Sequence, residues 1–213
     1  MKTLLAFGDS NTHGSMPSST FDTAYRFDRA TRWPGVCAAA LGPEWHVVEE
    51  GHPGRTTTLD DPTWGPHRNG STVLPALLES HRPLDVVVLM LGTNDMKACY
   101  AMTALDSALS VERLLRIVAS SASGPGGTAP LVLVIAPAPI RELGWLAEMF
   151  TGGAQKSNRL AGHLADVAKR QGASFLDAAA VTTVDPAEGV HLTAEGHQAL
   201  GRAIAARVSE LSG

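Results

Sequence analysis

Leu84-Asp85-Val86-Val87-Val88-Leu89-Met90-Leu91, followed at once by Gly92-Thr93-Asn94-Asp95, is the stretch that decides the fold. Its aliphatic and β-branched run has no polar face, which is the pattern of a strand buried on both sides of a parallel sheet. Outward from it the chain alternates strand and helix. Toward the N-terminus lie a helix over 72–81 with Pro75 near its start and a strand over 45–50 containing Val47 and Val48. Before these come a helix over 33–41 with Pro34 in its first turn, and a short strand over 3–7 stopped by Gly8. Toward the C-terminus, Thr103 opens a helix whose Asp106 gives an approximate capping box, with Leu105, Leu109, Leu114, Leu115 and Val118 as its apolar side. A loop over 120–127, a strand over 131–135 and a helix over 155–171 follow, the helix closed by Gly172 where a C-terminal cap prefers glycine. Phe175 and Leu176 read as a fifth short strand. The last helix, over 193–211, carries Leu200, Ile204, Val208 and Leu211 along one face. Five strands interleaved with helices predict an α/β fold with one five-stranded parallel sheet covered on both faces, in a single domain spanning 1–213.

Composition narrows the function. Of 213 residues, 44% are hydrophobic and 18% charged, which supplies a real core and excludes a disordered chain. The net charge of −4 lacks the basic footprint of a nucleic-acid binder. Two cysteines, Cys37 and Cys99, have no metal-ligand spacing, cannot build a disulfide framework, and read as small buried thiols. No stretch reaches the roughly 20 apolar residues of a membrane helix, and the apolar run over 4–7 after Lys2 is too short for a secretory signal. The expectation is a soluble, cytoplasmic protein with neither nucleic acid nor membrane as partner.

Ligands of such sheets bind outside the carboxyl ends of the strands. After the first strand stands Gly8-Asp9-Ser10-Asn11, after the second His52-Pro53-Gly54-Arg55, after the third Gly92-Thr93-Asn94-Asp95, and after the fifth Asp185-Pro186-Ala187-Glu188-Gly189-Val190-His191. Taken singly these are ordinary: Ser10 reads as a helix-capping serine, Gly54 as a turn glycine, Asn94 as an Asx turn. Asp9 reads as hydrogen-bonding the helix start rather than as a catalytic acid. His197, inside the last helix, reads as packing or capping.

Their joint order resembles the SGNH hydrolases, also called the GDSL esterase family, over nearly the whole chain. The likeness is greatest to the arylesterase and acyltransferase subgroup, through Glu49-Glu50-Gly51, Arg55-Thr56-Thr57, Asp60-Asp61-Pro62-Thr63 and the block over 91–98. The resemblance implies a three-layer flavodoxin-like sandwich and a serine hydrolase that needs no metal or other cofactor. It assigns Ser10 as nucleophile and His191 as general base, since a serine hydroxyl attacks only when a neighbouring base accepts its proton. It assigns the oxyanion to the Ser10 N–H, the Gly54 N–H and the Asn94 side-chain amide. The family's aspartate three residues before the histidine is here Glu188. Glu188 is the favoured acid on position, Asp185 is its rival, and a backbone carbonyl holding His191 is a third reading.

Asn11, His13, Lys97, Trp145, Phe150 and Val190 are expected to border the substrate, although a surface ion pair is the plain reading of Lys97 and Arg55. The connection over 137–153, with Trp145, Leu146, Met149 and Phe150, reads as an acyl-binding wall, a subunit contact or a turn packed on its own core. The excursion over 60–69 corresponds to a region that helps build oligomers in the subgroup, and a homo-oligomer is expected. The reaction expected is hydrolysis of a short-chain aryl or alkyl ester, a small-molecule substrate, through an acyl-serine. Water resolves it, or an alcohol acceptor does; carbohydrate O-deacetylation, as by acetylxylan esterases, is the alternative. Two readings stand further off. One is a metal-dependent phosphoesterase using Asp9, Asn94, Asp95 and His191, whose paired histidine motifs are missing here; the other is an inactive binding module.

Overall fold

The computed structural model describes residues 1–20 and 25–213. Strands β1 (Lys2–Gly8), β2 (Trp45–Gly51), β3 (Val86–Met90), β4 (Leu131–Ala136) and β5 (Ser174–Asp177) form one sheet in the order β2-β1-β3-β4-β5, with every neighbouring pair parallel. This is the flavodoxin-like order, whose switch point lies between β1 and β3. Among the described residues no helix is long and apolar enough to cross a membrane.

The strand side chains alternate between two cores. Leu5, Phe7, Val87, Leu89, Val134 and Ala136 face one layer, made by α3 (Gly70–His81), α4 (Ala104–Ala119) and α5 (Gly153–Arg170). Leu4, Ala6, Val86, Val88, Leu133 and Ile135 face the other, made by α2 (Trp33–Leu41) and α6 (Ala194–Ser212). Both faces being covered is why β3 needs no polar alternation. Thr103 caps α4 with the reciprocal Thr103–Asp106 pair of a capping box, and Thr193 caps α6 through the Gly196 N–H at 3.1 Å.

Two readings need correction. Leu105 and Leu109 are exposed, because α4 buries the stripe 104, 107–108, 111, 114–115 and 118, and both leucines lie about a quarter turn from it. Cys37 is buried, whereas Cys99 is exposed in a single 3-10 turn (Ala98–Tyr100) beyond β3.

The site is prepared by how closely the chain passes over the ends of β1 and β2. A four-residue helix, α1 (Ser10–His13), follows β1 directly and lies against Gly51. A Cβ on Gly51 would stand 2.1 Å from the His13 nitrogen and 2.5 Å from the Thr12 carbonyl carbon. Gly51→Ala is therefore expected to push α1 off β2, costing about 1–3 kcal/mol in a denaturant titration and lowering turnover as well. An unchanged midpoint with full activity would mean that this contact does not position the helix.

Candidate active site

Ser10 is the first residue of α1, so its own N–H has no acceptor within that helix. Asp9 caps the turn, its Oδ1 accepting from the Asn11 N–H at 3.0 Å. Burial pushes the Asp9 carboxyl up to about 6, opposed by the Asn11 hydrogen bond and by the charges of His191 and Arg55. Gly54 is held at φ +78, in the left-handed region that favours glycine, and its open side lies under the Arg68 guanidinium. Asn94 begins a 3-10 turn (Asn94–Met96) after β3 and donates to the Arg55 carbonyl at 3.1 Å, while its contact to Asp9 Oδ2 is a long 3.5 Å.

Two buried networks fix these loops to one another. Asp95 accepts from the Thr57 N–H at 2.9 Å, the Thr57 hydroxyl at 2.7 Å and the Ser107 hydroxyl at 2.6 Å, which ties the loop after β2 to the loop after β3 and to α4. Arg55 donates to the carbonyls of Gly8 and Glu50 and lies over the Phe7 ring at 4.4 Å, clamping the ends of β1 and β2. Burial lowers its guanidinium to about 10. Neither Arg55 nor Lys97 is a surface ion pair, since both are buried.

His191 stands just before the cap of α6. Its Nδ1 meets Glu188 Oε1 at 2.5 Å, and its backbone N–H donates to Glu188 Oε2 at 2.8 Å. The extra methylene of glutamate is absorbed by a tight loop. Gly189 at φ +89 donates to the Asp185 carbonyl, and the Asp185 N–H donates to the His191 carbonyl at 2.7 Å. Asp185 does not reach the imidazole: its Oδ1 accepts from the N–H groups of Ala187 and Glu188 at 2.9 and 2.8 Å, an Asx turn that places Glu188. With Nδ1 engaged by a carboxylate, Nε2 is the nitrogen left to exchange a proton.

Ser10, Gly54, Asn94 and His191 open together onto a cleft of about 420 Å³. Five of the six residues expected to border the substrate line it: His13, Lys97, Trp145, Phe150 and Val190. Asn11 does not. Its amide donates to the Val190 carbonyl at 3.2 Å and accepts from the Leu192 N–H at 2.9 Å, so it brackets His191 instead of meeting a ligand. The connection over 137–153 supplies a wall of the cleft through Trp145, Leu146, Met149 and Phe150. His197 is buried, its Nδ1 accepting from the Trp33 N–H at 3.3 Å, and burial lowers its imidazole to about 4.

The family model for GDSL-like lipases and acylhydrolases matches residues 6–199. The chain belongs to this family. An aryl esterase of M. smegmatis is 41% identical over 99% of this chain and 100% of its own, with a TM-score of 0.94. Est24, a carbohydrate acetylesterase from Sinorhizobium meliloti, is 40% identical over 99% of this chain and 100% of its own, with a TM-score of 0.95. The structure of a putative arylesterase from Agrobacterium tumefaciens str. C58 is 39% identical, covers 99% of each chain and has a TM-score of 0.89. Curated protein sequences include no match.

For this GDSL-family chain, the sequence reading missed Trp64 and Arg68. Both line the cleft from the excursion over 60–69, where their only signal was an aromatic and a cation among prolines and charges. Of the donors named in the metal reading, Asp95 is spent on Thr57 and Ser107.

Asp9 gives a pH test. Its folded value near 6 exceeds its unfolded value of 3.8, so the folded state holds this proton more tightly. The associated stability is complete below the unfolded value and is lost as pH rises through about 6. Asp9→Asn removes the titration. Its stability relative to the parent should therefore rise between about pH 4 and pH 8 by on the order of 2–3 kcal/mol in denaturant titrations. A difference independent of pH would contradict the assignment.

Proposed function

We propose that the chain is a serine esterase that hydrolyses short-chain carboxylic esters through an acyl-Ser10 intermediate. The observation that carries this is the Glu188–His191 pair at 2.5 Å, lashed by Asn11 to the same α1 turn that begins with Ser10. Family membership and the likeness to an aryl esterase support it.

In this mechanism His191 Nε2 takes the Ser10 proton as Oγ attacks the ester carbonyl. Glu188 fixes the tautomer and stabilises the imidazolium. The N–H groups of Ser10 and Gly54, with the Asn94 N–H whose contact to Asp9 is long, meet the negative oxygen of the tetrahedral intermediate. Each such donor is worth about 2.7–4 kcal/mol. His191 then returns the proton to the leaving alcohol, and water attacks the acyl-serine. The apolar wall of Trp145, Leu146, Met149 and Phe150 favours an alcohol competing with water, which would make acyl transfer a second outcome of the same intermediate. Carbohydrate O-deacetylation is the second reading, favoured by the likeness to Est24 and by the two indoles, Trp64 and Trp145, on the cleft. A homo-oligomer is supported by the exposed Met16, Tyr25 and Met149 around the mouth of the cleft.

The test is hydrolysis of p-nitrophenyl acetate with and without a chelator. Parent activity should survive the chelator. Ser10→Ala should lower kcat more than about 10³-fold, Glu188→Gln by a smaller factor of about 10²-fold or more, and Asp185→Asn by less than about tenfold. Activity that dies with the chelator yet persists in Ser10→Ala would sink the reading. A larger loss in Asp185→Asn than in Glu188→Gln would overturn the choice of acid.

A further inference from the structure

We propose that Arg68 and Lys97 form an anion-binding subsite within the cleft, and that the preferred ester carries a carboxylate on its acyl half. This rests on the serine-esterase reading above. Two cations line the cleft, and no carboxylate does among the described residues. Both are withdrawn from water: Lys97 is 6% exposed, and the Arg68 side chain 17%. Such charges need partners.

The protein supplies only a partial one. Asp61 is the one carboxylate within reach of either cation among the described residues. Its Oδ2 stands 3.6 Å from Arg68 Nη1 and 3.9 Å from Lys97 Nζ, both beyond ordinary hydrogen-bond length. Its Oδ1 is already occupied, accepting from the N–H groups of Thr63 and Trp64 at 2.9 Å each. Arg68 lies over the Trp64 ring at 4.7 Å, and its Nε is buried with no acceptor among the described residues. Two like charges thus share one carboxylate oxygen and repel each other. Burial first, and the neighbouring Arg68 charge in addition, lower the Lys97 ammonium, while Asp61 opposes the shift. A bound anion would satisfy the open donors of both side chains and relieve that repulsion.

Position assigns the anion to the acyl half. Arg68 packs against Gly54, its Nη1 2.3 Å from where a Cβ on that glycine would be, and Lys97 Nζ stands beside it, 3.9 Å from the same Asp61 Oδ2 that faces Arg68. Both cations therefore flank the residues proposed to hold the carbonyl oxygen. The leaving oxygen must instead face His191 to receive its proton. The probe acyl group is succinyl, whose carboxylate lies two methylenes beyond the carbonyl. Ser10 Oγ bonds to the carbonyl carbon as the bond to the alkoxy group breaks, and the alcohol leaves with the proton that His191 took from Ser10. Water then cleaves the succinyl-serine, giving succinate and restoring Ser10.

The experiment compares monoethyl succinate with ethyl 4-methylpentanoate, a neutral ester of matching shape and the same alcohol, by ethanol release. The ratio of their kcat/KM values is taken within each protein, so a lower folded fraction cancels. The parent should favour the succinate ester, and the ratio should fall at least about tenfold in Arg68→Gln and in Lys97→Met. It should also fall when salt is raised from about 0.05 to 0.5 M, as screening predicts. A ratio unchanged in both variants, or a parent that cleaves the neutral ester and not the anionic one, would overturn the subsite while leaving the esterase intact. Ser10→Ala turning over both esters at the parental rate would overturn the esterase reading itself.

Discussion

A carboxylate taken out of water must be given hydrogen-bond donors, and this requirement organises the catalytic end of the sheet. Asp9 takes the Asn11 N–H and so shapes the turn that presents Ser10. Asp95 takes three donors from Thr57 and Ser107 and so fastens the loops after β2 and β3. Glu188 takes the N–H and the ring of His191. Asp61 takes two N–H groups from its own loop and faces Arg68 and Lys97 with the oxygen that remains. Each carboxylate fixes the shape of its own loop, and Asp95 in addition joins the loops after β2 and β3 to α4.

That geometry depends on the switch point of the sheet. Gly8 pairs with both Gly51 and Met90, so the ends of β1, β2 and β3 lie side by side, and the three loops leaving them start from one place. The fourth loop arrives from beyond β5 and has no such neighbour. It is brought to Ser10 by the Asn11 amide, which spans the peptide groups on either side of His191. A misplacement of about 1 Å in such a pair costs on the order of 10²-fold in rate, which is why a buried side chain is spent on the tether.

The sheet was legible in the sequence because the buried run over 86–90 and the alternation around it leave few topologies open. The strand-end motifs were legible because function in such sheets concentrates there. What escaped depended on rotation and on loop closure. Asn11 is adjacent to Ser10 in sequence, but one helical step turns it about 100° away, toward the His191 loop. Leu105 and Leu109 satisfy an apolar count yet miss the stripe that faces the core. Asp185 and Glu188 have the same chemistry in the same loop. Position favoured Glu188, and the closed turn, with Gly189 at positive φ and Asp185 capping two N–H groups, is what brings that carboxylate to the imidazole. Arg68 and Trp64 reach the cleft through a fold-back of the excursion over 60–69, which no local pattern announces.

The central claim is that Ser10 is the nucleophile activated by the His191–Glu188 pair. The most direct test is covalent trapping with diethyl p-nitrophenyl phosphate, followed by intact-mass measurement and peptide mapping. The account predicts one diethylphosphoryl group per chain, carried by the peptide that contains Ser10, with labelling slowed in Glu188→Gln. No adduct, or an adduct mapped to another residue, would contradict it.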